Sequence, residues 1–223
     1  MIWSLIYKEW KKTNYYILSI LIVGLLFEAY LCLEILRSVR MVGMPHVWDV
    51  IINRNAFLFD GIKFFSLSIG VVLGLAQYLP EIKDKRIKLS LHLPLPEHKI
   101  IFTMVIYGQI VMILFSFIFM GFILLFTSFY FPCEIVTSVL LTILPWFLSG
   151  IVVNNLLAWI CIEPTWKRRI FNIILSFIII NLFFISDYPS SYVNILIYIW
   201  IIIPLLIPSV LISVYRFKEG KQD

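Results

Sequence analysis

Charge is scarce in this chain. Asp, Glu, Lys and Arg together make up 14% of its 223 residues, against about 25% in an ordinary soluble domain. Cysteine is equally thin. Cys32, Cys133 and Cys161 are scattered and odd in number, which fits neither a disulfide framework nor a metal site. The chain has no Gly-x-x-x-x-Gly-Lys-Ser/Thr phosphate loop, no His-Glu-x-x-His, no Gly-x-Ser-x-Gly and no Cys-x-x-Cys. These absences speak against P-loop nucleotide binding, zinc hydrolysis, acyl-transfer nucleophiles and redox dithiols. His92 and His98 stand six apart in a Pro-containing stretch, a spacing that offers no shared ligand face. No apolar run pairs a nucleophile with a base as an intramembrane protease requires. The expectation is therefore no catalytic residue, no metal and no cofactor held by this chain.

What is abundant is apolar. Hydrophobic residues account for 61% of the sequence, with a mean hydropathy of +0.98. They come in runs too long for one soluble core. A bilayer core about 30 Å thick is crossed by roughly 20 apolar residues in a helix. Six runs qualify as candidates: residues 15–36, 57–79, 100–131, 135–162, 170–185 and 192–215. They lack the period-2 alternation of barrel strands, so the predicted fold is an all-α bundle of six membrane spans in a single transmembrane domain. The run at 170–185 has 16 residues, about 24 Å at 1.5 Å each, marginal for a full crossing. Pro145, Pro204 and Pro208 mark expected kinks. No signal peptide is evident, and the first run reads as a permanent span.

Basic residues choose the orientation. With both termini on one side, Arg37, Arg40, Arg54 and Lys63 fall on the other, leaving 14 of the 18 Lys and Arg on the terminal side. Positive charge stays cytoplasmic, so both termini are expected inside a multi-pass membrane protein. The net charge of +5 is mostly this topological bias, and it does not point to nucleic acid.

Three local features stand out. First, Trp3, Ile6, Tyr7 and Trp10 recur at i, i+3, i+4, i+7, one stripe of a helix. Residues 1–14 are expected to lie along the inner membrane surface, or else to form the solvated start of the first span. Second, residues 37–56 form the longest external loop, in which Gly43-Met44-Pro45 breaks the helix and residues 46–52 make a short surface helix. Third, a basic arm at 80–99 separates the second and third runs. It contains Glu81, Lys85, Arg86, Leu89, Leu91, Leu93 and Pro94. Its apolar residues alternate from Ile87 to Leu95, yet a lone strand leaves its backbone unpaired, so a short helix through about His92 is the preferred reading. The other reading is a solvated positive-inside loop. Inside the spans, Glu28, Asn154, Asn155, Gln109 and Asn181 are polar. An ionisable group in hydrocarbon is a functional hypothesis by default, and Glu28 is the first candidate, with Asn154 and Asn155 beside it. Hydrogen bonding across helices is the plainer role for the amides.

The order of parts resembles the permease subunit of the type-two class of ABC exporters. The resemblance rests on the Lys8-Glu9 pair in an N-terminal elbow, on six spans with both termini inside, and on the motif between spans two and three. That motif runs Glu81, Lys85, Arg86, Leu89, Leu91, Leu93-Pro94-Leu95-Pro96 and then Ile100-Ile101. It departs from the family at Ile87, where Gly is frequent, and in the short stretch before the last span, which leaves little room for a re-entrant hairpin. The Leu93-Pro94-Leu95-Pro96 run is also similar to the haem-exporter-like permeases, without further match. The resemblance implies that residues 80–99 hold a coupling helix docking on an ATP-binding cassette subunit, which carries ATP and magnesium. It further implies a second permease copy or paralogue and residence in a bacterial plasma membrane among lipid. Two other classes are an ion- or proton-coupled secondary transporter using Glu28, and a membrane anchor docking soluble partners. No internal repeat supports the former.

Overall fold

A computed structural model describes residues 2–83, 95–186 and 188–218. Among them there is no strand, and seven α-helices carry the chain. They are α1 Ile2–Val42, α2 Met44–Ile52, α3 Phe65–Lys83, α4 Glu97–Tyr130, α5 Cys133–Ile162, α6 Trp166–Asn181 and α7 Leu196–Lys218, with one 3₁₀ turn at Asp60–Ile62. Helices are what long apolar runs must form in lipid, where every backbone N–H and C=O has to find its partner within the segment. Five of them (α1, α4, α5, α7 and α3 with its preceding turn) are long and apolar enough to cross a membrane.

The expected surface helix over residues 1–14 is not a separate element. Helix α1 runs unbroken through 41 residues, about 62 Å at 1.5 Å each. Its buried face there is Leu5, Glu9 and Thr13, at i, i+4, i+8. The aromatic stripe is turned outward, with Trp3 82% exposed. Periodicity located a helical stripe correctly but could not say which face the bundle would cover. In this segment the carboxylate goes in and the indole stays out.

Gly43 ends α1 at φ 89°, a left-handed conformation suited to glycine. Pro45 follows in the first turn of α2, where its missing N–H costs nothing. The short helix expected at 46–52 is thus present and begins slightly earlier. The second run begins later than its apolarity suggested, because residues 57–64 fold as turns. Phe57 packs edge-on to Trp146 and Phe59 to Phe126. Helix α3 also continues past residue 79, through Pro80, to Lys83. The first residues of the expected arm are therefore the last turn of α3. Residues 84–94, which carry the predicted coupling helix, lie outside the described residues.

Helix α5 is the core helix, with more of its apolar window enclosed than any other candidate span. Helices α3, α4, α6 and α7 pack against it, and α1 lies on α3 and α4. The α3–α5 contact is the tightest, because small residues repeat every four positions on α3 as Ser66, Gly70 and Gly74. A Cβ at Gly70 would fall 2.4 Å from the Gly150 carbonyl oxygen, and one at Gly150 would fall 2.4 Å from that of Ser66. The two backbones touch, as small-xxx-small faces permit, and Ser66 Oγ donates to the Phe147 carbonyl at 3.1 Å. The fifth run is helical only to Asn181, and its helix, α6, starts earlier at Trp166 and has 16 residues. It buries only Asn172 and Ser176, and residues 182–184 and 188–195 are mostly turns before α7.

Both described chain ends sit at one end of the bundle. There Leu5 packs with Ile100 and Met104, while Tyr78, Ile101, Ile162 and Val214 form a neighbouring cluster. At the opposite end Phe64 meets Phe184 with ring centroids 4.9 Å apart. Ser190 N–H there donates to Thr142 Oγ1 at 3.0 Å.

Candidate functional site: a charged clamp at the root of the arm

Lys8, Glu9 and Glu81 are brought together by the fold. They meet where α3 ends and the basic arm begins. Lys8 Nζ lies 2.9 Å and Lys12 Nζ 3.1 Å from Glu81 Oε1. Lys12 Nζ also lies 2.7 Å from Glu9 Oε2. Both carboxylates are 1% exposed. Two acids and two bases give no net charge, which is the form a buried ionic cluster can take without an uncompensated ion. One turn on, the Thr13 hydroxyl is 2.7 Å from the Tyr107 hydroxyl and also donates to the Glu9 carbonyl. The clamp therefore ties α1 to both α3 and α4, the two helices between which the arm is slung. Lys85, Arg86, Leu89, Leu91, Leu93 and Pro94 lie outside the described residues.

Asn154 and Asn155 belong to a second polar group, on α5. Gln109 Nε2 donates to Asn155 Oδ1 at 2.9 Å, and Gln77 Nε2 donates to the Met104 carbonyl at 2.7 Å. Gly108 makes room for this gathering, since a Cβ there would sit 2.5 Å from Gln77 Oε1 and 2.8 Å from Asn154 Oδ1. The amides thus join α3, α4 and α5 by hydrogen bonds, the plainer of the roles expected for them. Asn181 instead donates to the Phe177 carbonyl of its own helix.

Glu28 does not join them. Gly24, one turn before it, packs on Phe119, ten residues beyond Gln109 and so about 15 Å farther along α4. Glu28 has no exposed surface, and neither carboxyl oxygen has a hydrogen-bond partner.

No family model, curated protein or solved structure matches the chain. The site is therefore read from its own chemistry. Sequence reasoning missed Lys12, the residue that bridges both acids, although it stands in the same basic stretch. It also missed Glu163, wholly buried at the end of α5. Glu163 accepts from Ser213 Oγ at 2.6 Å and from Thr165 Oγ1 at 3.1 Å, and Arg216 approaches to 3.6 Å. Arg169 donates to its backbone carbonyl at 2.7 Å. A second knot thus joins α5, α6 and α7 at the same end as the clamp. An acid directly before Pro164 in an otherwise basic loop was the available signal.

Proposed function

We propose that the chain is the membrane-spanning permease subunit of an ABC exporter of the type-two class. It couples ATP hydrolysis in a partner subunit to the outward movement of cargo. In this reading both termini and the basic arm are cytoplasmic, and the chain crosses the bacterial plasma membrane six times. Helix α6 then crosses with its 16 residues, local thinning of the bilayer absorbing the mismatch. A second permease copy or paralogue and two ATP-binding cassette subunits complete the assembly.

The observation that carries this reading is the clamp. Helix α3 ends at Lys83, two residues after Glu81, where the arm begins. Its root is held by buried ion pairs to the start of α1. Its return into α4 is held by Leu5 packing on Ile100 and Met104. A push on the arm therefore reaches α1, α3 and α4 together, rather than dissipating in a loose loop. The Glu163 knot makes α5, α6 and α7 a second unit at that end. The close α3–α5 contact joins this unit to the clamped helices, so a push on the arm is carried across the bundle.

Leu91→Asp tests this reading. The variant is expected to insert into membranes normally and to lose co-purification of a nucleotide-binding subunit. Recovery of that subunit at the wild-type ratio removes the arm from the mechanism. The secondary-transporter reading has one observation in its favour, the unpartnered Glu28 carboxyl. Solute movement by the purified chain alone, down an ion gradient, would select it instead.

A further inference from the structure

Helix α6 is the span that the bundle encloses least. It packs against α5, and apart from Asn172 and Ser176 its side chains are exposed or half-buried. Those two are polar, and neither Asn172 Nδ2 nor Ser176 Oγ has a hydrogen-bond partner, so the face turned to α5 buries little apolar surface. The first turn is tied down by Arg169, which donates to the Glu163 carbonyl at 2.7 Å and lies over the Trp166 ring at 5.1 Å.

The outward face has a different character. Lys167 and Arg168 are exposed, and among the described residues neither pairs with an acid. The acids at this end are turned inward. Glu9, Glu81 and Glu163 are buried in their own ion pairs and hydrogen bonds, and Glu97 is half-buried. The surface charge beside α6 is therefore of one sign, and it fits an anion. Lys167 also heads an exposed stripe of Ile170, Phe171, Ile174 and Ile178, at i+3, i+4, i+7 and i+11, which is one face of a helix. Trp166 is 63% exposed, and an indole at the head of an apolar stripe suits the headgroup level.

Length decides what kind of anion fits. From Lys167 to Ile178 the stripe runs about 17 Å at 1.5 Å per residue, close to half of a hydrocarbon core about 30 Å thick. It is one leaflet deep, with the cations at its polar end. A soluble acidic segment could meet the charges but would leave the stripe bare. A single lipid of one leaflet covers both.

We propose that the start of α6 is a docking site for an acidic phospholipid, its phosphate held by Lys167 and Arg168, its glycerol level against Trp166 and an acyl chain along Ile170, Phe171, Ile174 and Ile178. The lipid supplies to α6 the grip that its face on α5 lacks, next to the Glu163 knot that ties α6 to α7. The site rests on the membrane-spanning reading of α6 and not on any ATP-binding partner.

The test is native mass spectrometry of the purified full chain in detergent, titrated with phosphatidylglycerol and with phosphatidylcholine of the same acyl chains. A preference for phosphatidylglycerol of roughly tenfold is expected, the scale that two cations bring at an acidic surface. The Lys167→Gln, Arg168→Gln double variant is expected to bind the two lipids within about twofold of each other. The Lys11→Gln, Lys99→Gln variant removes as many exposed charges at the same end and is expected to keep the preference. Equal binding of the two lipids by the wild type overturns the proposal. So does an undiminished preference in the Lys167, Arg168 variant, or an equal loss in both variants, which would mean diffuse attraction without a site. Displacement of phosphatidylglycerol by an equal concentration of glycerol 3-phosphate would mean a bare anion site and would overturn it too. Because no ATPase is present, these results stand apart from the co-purification result.

Discussion

Glu81→Lys is expected to cost the protein most of its stability. The substitution sets a third ammonium beside Lys8 and Lys12 in a site where the native carboxylate is 1% exposed. Removing one partner of a buried ion pair costs about 3–5 kcal/mol, because the other charge is left without compensation, and reversing the sign adds repulsion. Thermal unfolding of the detergent-solubilised chain, followed by loss of the monodisperse peak, reads this directly. The Lys8→Glu, Glu81→Lys double variant is expected to recover part of the loss. A coupling of about 0.5–3 kcal/mol is the range for residues in direct contact. Additive losses in the double variant would mean that the clamp does not act as a unit. Lys8 is the suitable partner for the swap because it is 35% exposed and tolerates a new side chain, whereas Lys12 also serves Glu9.

Gly150→Ala is expected to be the most damaging single methyl group in the bundle. Its Cβ would stand 2.4 Å from the Ser66 carbonyl oxygen and 2.9 Å from the Ser66 carbonyl carbon. Those are backbone atoms of α3, so no rotamer can relieve the clash, and the two helices must separate. Overpacking of this kind typically costs about 1–3 kcal/mol, and here it also weakens the Ser66 hydrogen bond to the Phe147 carbonyl. Gly121→Ala is the control. Nothing lies within 4 Å of a Cβ at that position, and alanine favours a helix interior by about 0.5–1 kcal/mol over glycine. The two variants should therefore shift the unfolding midpoint in opposite directions. Equal shifts would mean that the α3–α5 contact is looser than described.

The helices were legible because apolar run length is a direct consequence of bilayer thickness, and every run contains a helix close to its predicted place. The break at Gly43 was legible for a stereochemical reason, its positive φ. Helix starts were less so: Phe57, Leu58, Phe59, Ile62 and Phe64 extend the apolar run, yet Asp60, Gly61 and Lys63 interrupt it, and the aromatic rings pack as turns on α4 and α5. Of the expected site, Lys8, Glu9 and Glu81 were found as members of a motif, but the Lys8–Glu81 contact was not, because residues so far apart in the chain carry no periodicity that links them. Lys12 escaped for the same reason, and so did the contacts of Glu163 with Ser213 and Arg216. Their roles are set by which helices become neighbours. The stripe of Ser66, Gly70 and Gly74 had a visible four-residue spacing, a missed feature that local pattern could have supplied.

The account turns on where the basic arm faces. A cysteine placed at His92 in an otherwise cysteine-free chain, labelled in intact cells and in inverted membrane vesicles, decides it. A membrane-impermeant maleimide is expected to leave the intact cells unmodified and to react in the inverted vesicles. Labelling from outside intact cells would set the arm beyond the reach of any cytoplasmic nucleotide hydrolase, and the clamp would then have no engine to serve.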